Sequence, residues 1–166
     1  MKNIAFFSKE IYSEIIIRAP AEKVWQILTH FEAYSEWNTY IRSASGQASV
    51  GEKLEINTQP QGSRRLVFHP KLLKVEPNKE LRWRGSSLPR FLFSGEHFFL
   101  IQDFDHYQVK FVQKEIFTGL LTPLLKRILN KRTGAGFVQM NQALKIRAEN
   151  IMRDKQELET EKEKSS

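Results

Sequence analysis

Along the chain, apolar and polar positions change period three times, and each change marks a different kind of element. Ile11 to Ile17 alternate and then run apolar, with Ile11, Ser13, Ile15 and Ile17 on one face, the pattern of a strand with one buried side. Ala19-Pro20 breaks it. Proline's fixed φ and missing N–H are tolerated in a helix's first turn, and Glu22 behind it meets the helix dipole favourably. Val24, Leu28 and Phe31 recur at helical spacing with Trp25 beside them, so an amphipathic helix is predicted over 20–31. Glu32 to Asn38 reads as a second short helix or turn.

From residue 40 the period becomes two. Lys53 to Gln59 alternates strictly, with Leu54, Ile56 and Thr58 on one face, and Pro60 ends the strand. Gly46, Gly51, Gly62, Pro77-Asn78 and Gly85 punctuate the run at hairpin spacing. Arg64 to Val75, Glu80 to Gly85, Phe91 to Ile101 and Tyr107 to Phe117 read as four more strands, with Gln102 to His106 a turn between the last two. Connections this short make the strands antiparallel.

Residues 119–132 read as an apolar-then-basic connector. After Gly134 and Gly136, the residues Phe137, Met140, Leu144, Ala148 and Ile151 form the continuous stripe of a long helix. Beyond 152 the stripe ends, leaving 153–166 as a charged, solvated helix end or tail and 1–152 as one domain. The element order predicts an α+β fold: a curled antiparallel sheet of six to seven strands wrapped around a long C-terminal helix.

Composition narrows the chemistry. Among 166 residues there is no cysteine, which removes disulfides, thiolate zinc sites and cysteine nucleophiles together. No run approaches the ~20 apolar residues a membrane span needs, and a soluble, cytoplasmic protein is expected. The net charge of +7 is uneven: residues 149–166 carry six acids against four bases, so the remainder is +9. Such a body raises nucleic acid, anionic lipid or an acidic small molecule as partners. Its bases fall in scattered pairs such as Arg64-Arg65, Lys126-Arg127 and Lys131-Arg132, so no nucleic-acid partner is expected. The histidines at 30, 69, 97 and 106 lack metal-ligand spacing, and there is no phosphate-binding glycine loop or acyl-transfer triad. Neither metal nor cofactor is expected.

Several short motifs carry a resemblance. Ala19-Pro20-Ala21-Glu22-Lys23-Val24-Trp25, Tyr34-Ser35-Glu36-Trp37-Asn38 and Gly51-Glu52-Lys53-Leu54 resemble the opening of the SRPBCC (START-like, helix-grip) superfamily, its polyketide cyclase/dehydrase-type members especially. Leu81 to Gly85, Phe93 to Leu100 and Glu115 to Leu121 are similar to that group's later motifs. The resemblance spans roughly residues 10–152 and implies a β-α-α-β6-α fold enclosing a cavity for lipids, polyketides or other apolar molecules.

Candidate site residues follow from strand parity. If odd residues face inward on the last two strands, Phe93, His97, Phe99, Phe111, Gln113, Glu115 and Phe117 share a face. A turn centred on Phe104 would set residue 97 opposite 111 and 95 opposite 113. Leu54, Ile56, Thr58 and Trp83 join that face, Trp37 closes one end, Leu121 belongs to a lid, and Phe137, Met140 and Leu144 come from the helix. Apolar walls with a few polar atoms are what a small-molecule pocket looks like. His97 and Glu115 are the candidates for proton transfer, and a glutamate in such a wall should have its pKa raised unless paired.

Two readings of the cavity stay open, beside a third, nucleic-acid binding by the basic body, which predicts affinity that falls steeply with added salt. One is a non-enzymatic carrier or sensor of a lipid-, polyketide- or aromatic-type ligand. The other is a cyclase or dehydratase using the same cavity without metal. Transient contact of the 119–132 segment with an anionic membrane is a further expectation.

Overall fold

The structure is a computed structural model that describes residues 7–59, 64–86, 88–105 and 107–164. Strand β1 (Ser8–Ile17) leads through Pro20 into helix α1 (Ala21–Thr29), a 3-10 turn at Phe31–Ala33 and the one-turn helix α2 (Tyr34–Trp37). Val24, Ile27 and Leu28 are the buried face of α1. Seven strands follow: β2 (Ile41–Ser45), β3 (Glu55–Thr58), β4 (Leu66–Phe68), β5 (Lys71–Glu76), β6 (Glu80–Gly85), β7 (Ser94–Asp105) and β8 (Gln108–Thr118). Helix α3 (Thr122–Lys164) closes the chain. Among the described residues no helix is long and apolar enough to cross a membrane.

This is the expected α+β helix-grip arrangement, with one change: the strands form two sheets. Five are ordered β1-β8-β7-β6-β5 and three are ordered β2-β3-β4, all antiparallel neighbours. The predicted strand over 64–75 is broken at His69-Pro70, where the chain leaves one sheet for the other. Proline has no N–H for a ladder, but its carbonyl is free, and the Pro70 oxygen accepts from Leu54 N–H at 3.0 Å. With the Lys53–Lys71 bridge, this bond holds the small sheet against the edge of the large one.

The hairpin of β7 and β8 is longer than its sequence suggested. β7 runs on to Asp105, so residue 97 lies opposite 115, not 111, and 95 opposite 117, not 113. The slip is four residues. An even slip preserves the faces, so odd positions still point inward on both strands while every cross-strand partner changes.

The long helix also begins earlier than predicted. The 119–132 segment is largely its first turns, with Pro123 at a first-turn position where its missing N–H is tolerated. Gly134 and Gly136 do not interrupt it. Gly136 is required by packing, because a Cβ there would collide with the ring of Tyr40. The helix continues to Lys164, and residues 153–164 are exposed.

The middle of α3 seals the core. Met140, Leu144 and Ala148 are fully buried against Ile17, Leu54, Ile56, Leu72, Leu81, Phe99 and Phe111, each at or near zero exposure, while Phe137 is buried in a second cluster with Ile11 and Phe117. Close packing of this kind leaves truncations no room to relax. Leu144→Ala should therefore destabilise the protein by ~2–5 kcal/mol, read as a lowered urea midpoint with unchanged m-value.

Candidate ligand pocket

Paired glycines decide where the interior stays open. Gly85 on β6 and Gly95 on β7 lie opposite one another, and Gly95 faces Phe117 across β8. A Cβ at Gly95 would lie 2.5 Å from Glu115 Oε1 and 3.1 Å from the Phe117 ring. At this notch Gly95 lets Glu115 and Phe117 lie close to the strand, and together with Gly85 they border a cavity of about 340 Å³ between the two sheets and the first third of α3. Trp83, Phe93, His97, Glu115 and Phe117 form its wall on the large sheet. Ile41, Thr58, Leu66, Val67 and Phe68 face them from the small sheet, and Ile128, Leu129, Arg132 and Thr133 come from the helix. Leu66, Val67 and Ile128 line the cavity and are also half exposed, so they mark its mouth.

The inner end is polar but uncharged. His97 is buried, stacked on Phe99 at 4.2 Å and tilted against Trp83 and Phe137. Its Nδ1 stands 3.8 Å from Glu115 Oε2, and its Nε2 has no hydrogen-bond partner. Burial pushes the His97 imidazole down to about 3 and the Glu115 carboxyl up to about 8. Near neutral pH this contact therefore joins a protonated carboxyl and a neutral imidazole, and the distance is too long for a hydrogen bond. Glu115 keeps 17% exposure against 6% for His97, so the carboxyl is the more accessible group. Tyr40, whose hydroxyl bonds Thr133, has its pKa raised by burial and by the nearby Glu115. Its position is fixed by Asn38, whose Oδ1 accepts from the backbone N–H groups of Tyr40 and Ile41 at 3.0 and 2.8 Å.

Of the residues expected to line a cavity, the pocket brings together Thr58, Trp83, Phe93, His97, Glu115 and Phe117. Leu54, Ile56, Phe99, Phe111, Gln113, Met140 and Leu144 do not line it and are buried under the middle of the helix, and Phe137 is buried beside it in a cluster with Ile11 and Phe117. Trp37 lines a separate recess with Lys23, Ile27 and Arg147. Leu121 is half-buried at the start of the helix, away from the cavity wall. Sequence reasoning missed Tyr40, the β4 residues, the α3 residues 128–133 and the glycine pair. Pro123 followed by Ile128, Leu129, Arg132 and Thr133 at helical spacing was the signal for the third of these.

Fold and pocket together define a helix-grip protein with an apolar interior site. Residues 8–145 match the family described as polyketide cyclase / dehydrase and lipid transport, and the chain belongs to that family. No curated protein matches it by sequence. Similar solved structures include a START superfamily protein from Mycobacterium smegmatis, 20% identical with a TM-score of 0.70, covering 86% of this chain and 98% of that one. A Streptomyces aromatase/cyclase is 13% identical with a TM-score of 0.71, covering 86% and 94%. Norcoclaurine synthase from Thalictrum flavum is 12% identical with a TM-score of 0.68, covering 87% and 96%. At these identities the likeness is one of fold.

The two buried groups have opposite effects on stability. The unfolded chain releases the Glu115 proton near 4.5 while the folded chain holds it to about 8, so this group's contribution is lost as pH rises through that window. His97 behaves in reverse: the unfolded chain binds a proton below 6.5 that the folded chain refuses until about 3, so stability is lost as pH falls. Between 4.5 and 6.5 the two slopes cancel, and from 6.5 to 8 only the Glu115 loss remains. Its slope cannot exceed ~1.4 kcal/mol per pH unit. Glu115→Gln should abolish that decline, so urea denaturation at pH 6.5 and 8 should show the variant gaining on the parent at the higher pH.

Proposed function

We propose that the protein binds a small apolar molecule in this pocket and acts as a carrier or sensor. The observation that supports the reading is a cavity of about 340 Å³ whose walls are largely aromatic and aliphatic and whose inner end presents a protonated carboxyl. Apolar area removed from water supplies the affinity, at roughly 25 cal/mol per Å². The Glu115 hydroxyl then orients the ligand by donating to a carbonyl or hydroxyl oxygen. Flat aromatic or polyketide-type rings suit the stacked Phe93–Phe117 pair, whose centroids are 5.5 Å apart and which can extend its stack to a third ring. Lipid-type chains suit the open mouth between Leu66, Val67 and Ile128.

Gly95 gives the direct test. Gly95→Val fills the notch and presses on Glu115 and Phe117, so binding of a co-purifying or added apolar ligand should weaken at least tenfold, read by native mass spectrometry and calorimetry. Undiminished binding by a folded variant would place the ligand elsewhere.

A second reading is favoured by one feature. A carboxyl held to about 8 beside an imidazole 3.8 Å away is poised to move protons near neutral pH, which a cyclase or dehydratase needs. The variants His97→Gln and Glu115→Gln separate the two readings. A carrier keeps binding within about threefold in both, because an amide still donates a hydrogen bond. An enzyme keeps binding but loses turnover by the ~10²–10⁴-fold typical of general acid–base groups.

A further inference from the structure

The cavity mouth opens among side chains that a water-facing surface would not ordinarily hold. Leu66 and Val67 stand on one side of it and Ile128 on the other, between 50% and 55% exposed. Leu124 lies one helical turn before Ile128 and is 78% exposed, and Leu120, in the turn that leads into the helix, is 54% exposed. Phe91, 67% exposed, is fixed beside this turn because its carbonyl accepts from Leu120 N–H and the Leu92 carbonyl accepts from Leu121 N–H, both at 3.0 Å. Gly119 permits that close approach: its φ is +126°, and a Cβ would strike the Leu92 carbonyl. Leu66, Val67 and Ile128 thus stand at the opening, and Leu124, Leu120 and Phe91, which lines a neighbouring recess, extend the exposed apolar surface from it. They are not scattered single residues of the kind any surface carries.

The charge around the ridge is mostly positive: Glu96, which shares a recess with Phe91 and Arg90, is paired with Arg84. The three segments that supply the rim, 56–75, 81–95 and 116–148, contain no aspartate or glutamate. Arg127, Lys131 and Arg132 lie on the helix beside the ridge, and none forms an ion pair among the described residues; the same is true of Arg64, Arg65 and Arg90. On the outer face of the large sheet, by contrast, Lys74, Arg82 and Arg84 are each matched by Glu76, Glu80 or Glu96. The unneutralised cations thus include a group that flanks the exposed apolar ridge. Apolar side chains that enter the acyl boundary, with cations level with the headgroups, are how a peripheral protein recognises an anionic bilayer.

We propose that the mouth of the pocket is a docking face for an anionic lipid bilayer, with Phe91, Leu120, Leu124 and Ile128 entering the interface and the flanking arginines and lysines meeting headgroup phosphates. In this orientation the cavity opens into the membrane, so an apolar ligand passes without crossing water. The docking itself needs no ligand and is independent of whether the pocket binds one.

Flotation of the full chain with vesicles tests this. Vesicles of phosphatidylcholine with a third phosphatidylglycerol should carry the protein, and pure phosphatidylcholine vesicles should carry at least tenfold less. Leu124→Glu with Phe91→Glu should lower binding to the anionic vesicles at least tenfold, as should Arg127→Glu with Lys131→Glu, while Lys155→Glu at the far end of the helix changes nothing. These side chains are exposed, and circular dichroism checks that each variant is folded. Equal binding to both vesicle types, or none to either, overturns the proposal. So does a loss on charge reversal with no loss from the apolar pair, which would mark a general polyanion site. An oligonucleotide that binds with equal affinity and competes with the vesicles would overturn it in the same way.

Discussion

The helix is longer than the core it can seal, and the rest of the site follows from that mismatch. From Met140 to Ala148, α3 packs on Phe99, Phe111 and their neighbours in one fully buried core. Toward its start the helix faces the end of the sheet where Gly85 and Gly95 contribute no side chain and Trp83, His97, Glu115 and Phe117 stand back to line a gap. Interiors pack to a uniform density, so a local deficit of side-chain volume becomes either a collapse or a cavity. Collapse is resisted here because Tyr40, pinned by Asn38 and seated on Gly136, props the small sheet away from the large one.

That geometry also sets the electrostatics. Glu115 reaches into the notch beneath Gly95, where burial leaves its carboxyl little water to stabilise a negative charge. The group therefore holds its proton, and the same desolvation denies one to His97. A polar pair that would be an ion pair on the surface becomes two neutral hydrogen-bonding groups in an apolar room. The arginines of the outer sheet face do not relieve this, because they are engaged with Glu80 and Glu96.

Much of this was legible in the residues. Period-two alternation placed His97, Glu115 and Phe117 on the inner face, and that placement survived a four-residue slip in pairing because the slip was even. The slip itself was not legible: nothing local says that β7 continues through Gln102 to Asp105 past a polar, turn-like stretch. The division into two sheets depends on Pro70 acting as a corner, which becomes clear only when both sheets are present. Gly134 and Gly136 looked like a helix break because the reason for Gly136 lies elsewhere in the chain, on the ring of Tyr40. The expected lining consequently ran from Phe93, His97 and Glu115, which border the pocket, on to Met140 and Leu144, which are buried beyond it.

The decisive point is where an apolar molecule lodges. Side-chain NMR during titration with naphthalene measures this directly. Shifts confined to Trp83, Phe93, Phe117 and Thr133, with the methyl groups of Met140 and Leu144 unmoved, are the expected result. Shifts centred on Met140 and Leu144, or saturation without any site-specific shift, would contradict it.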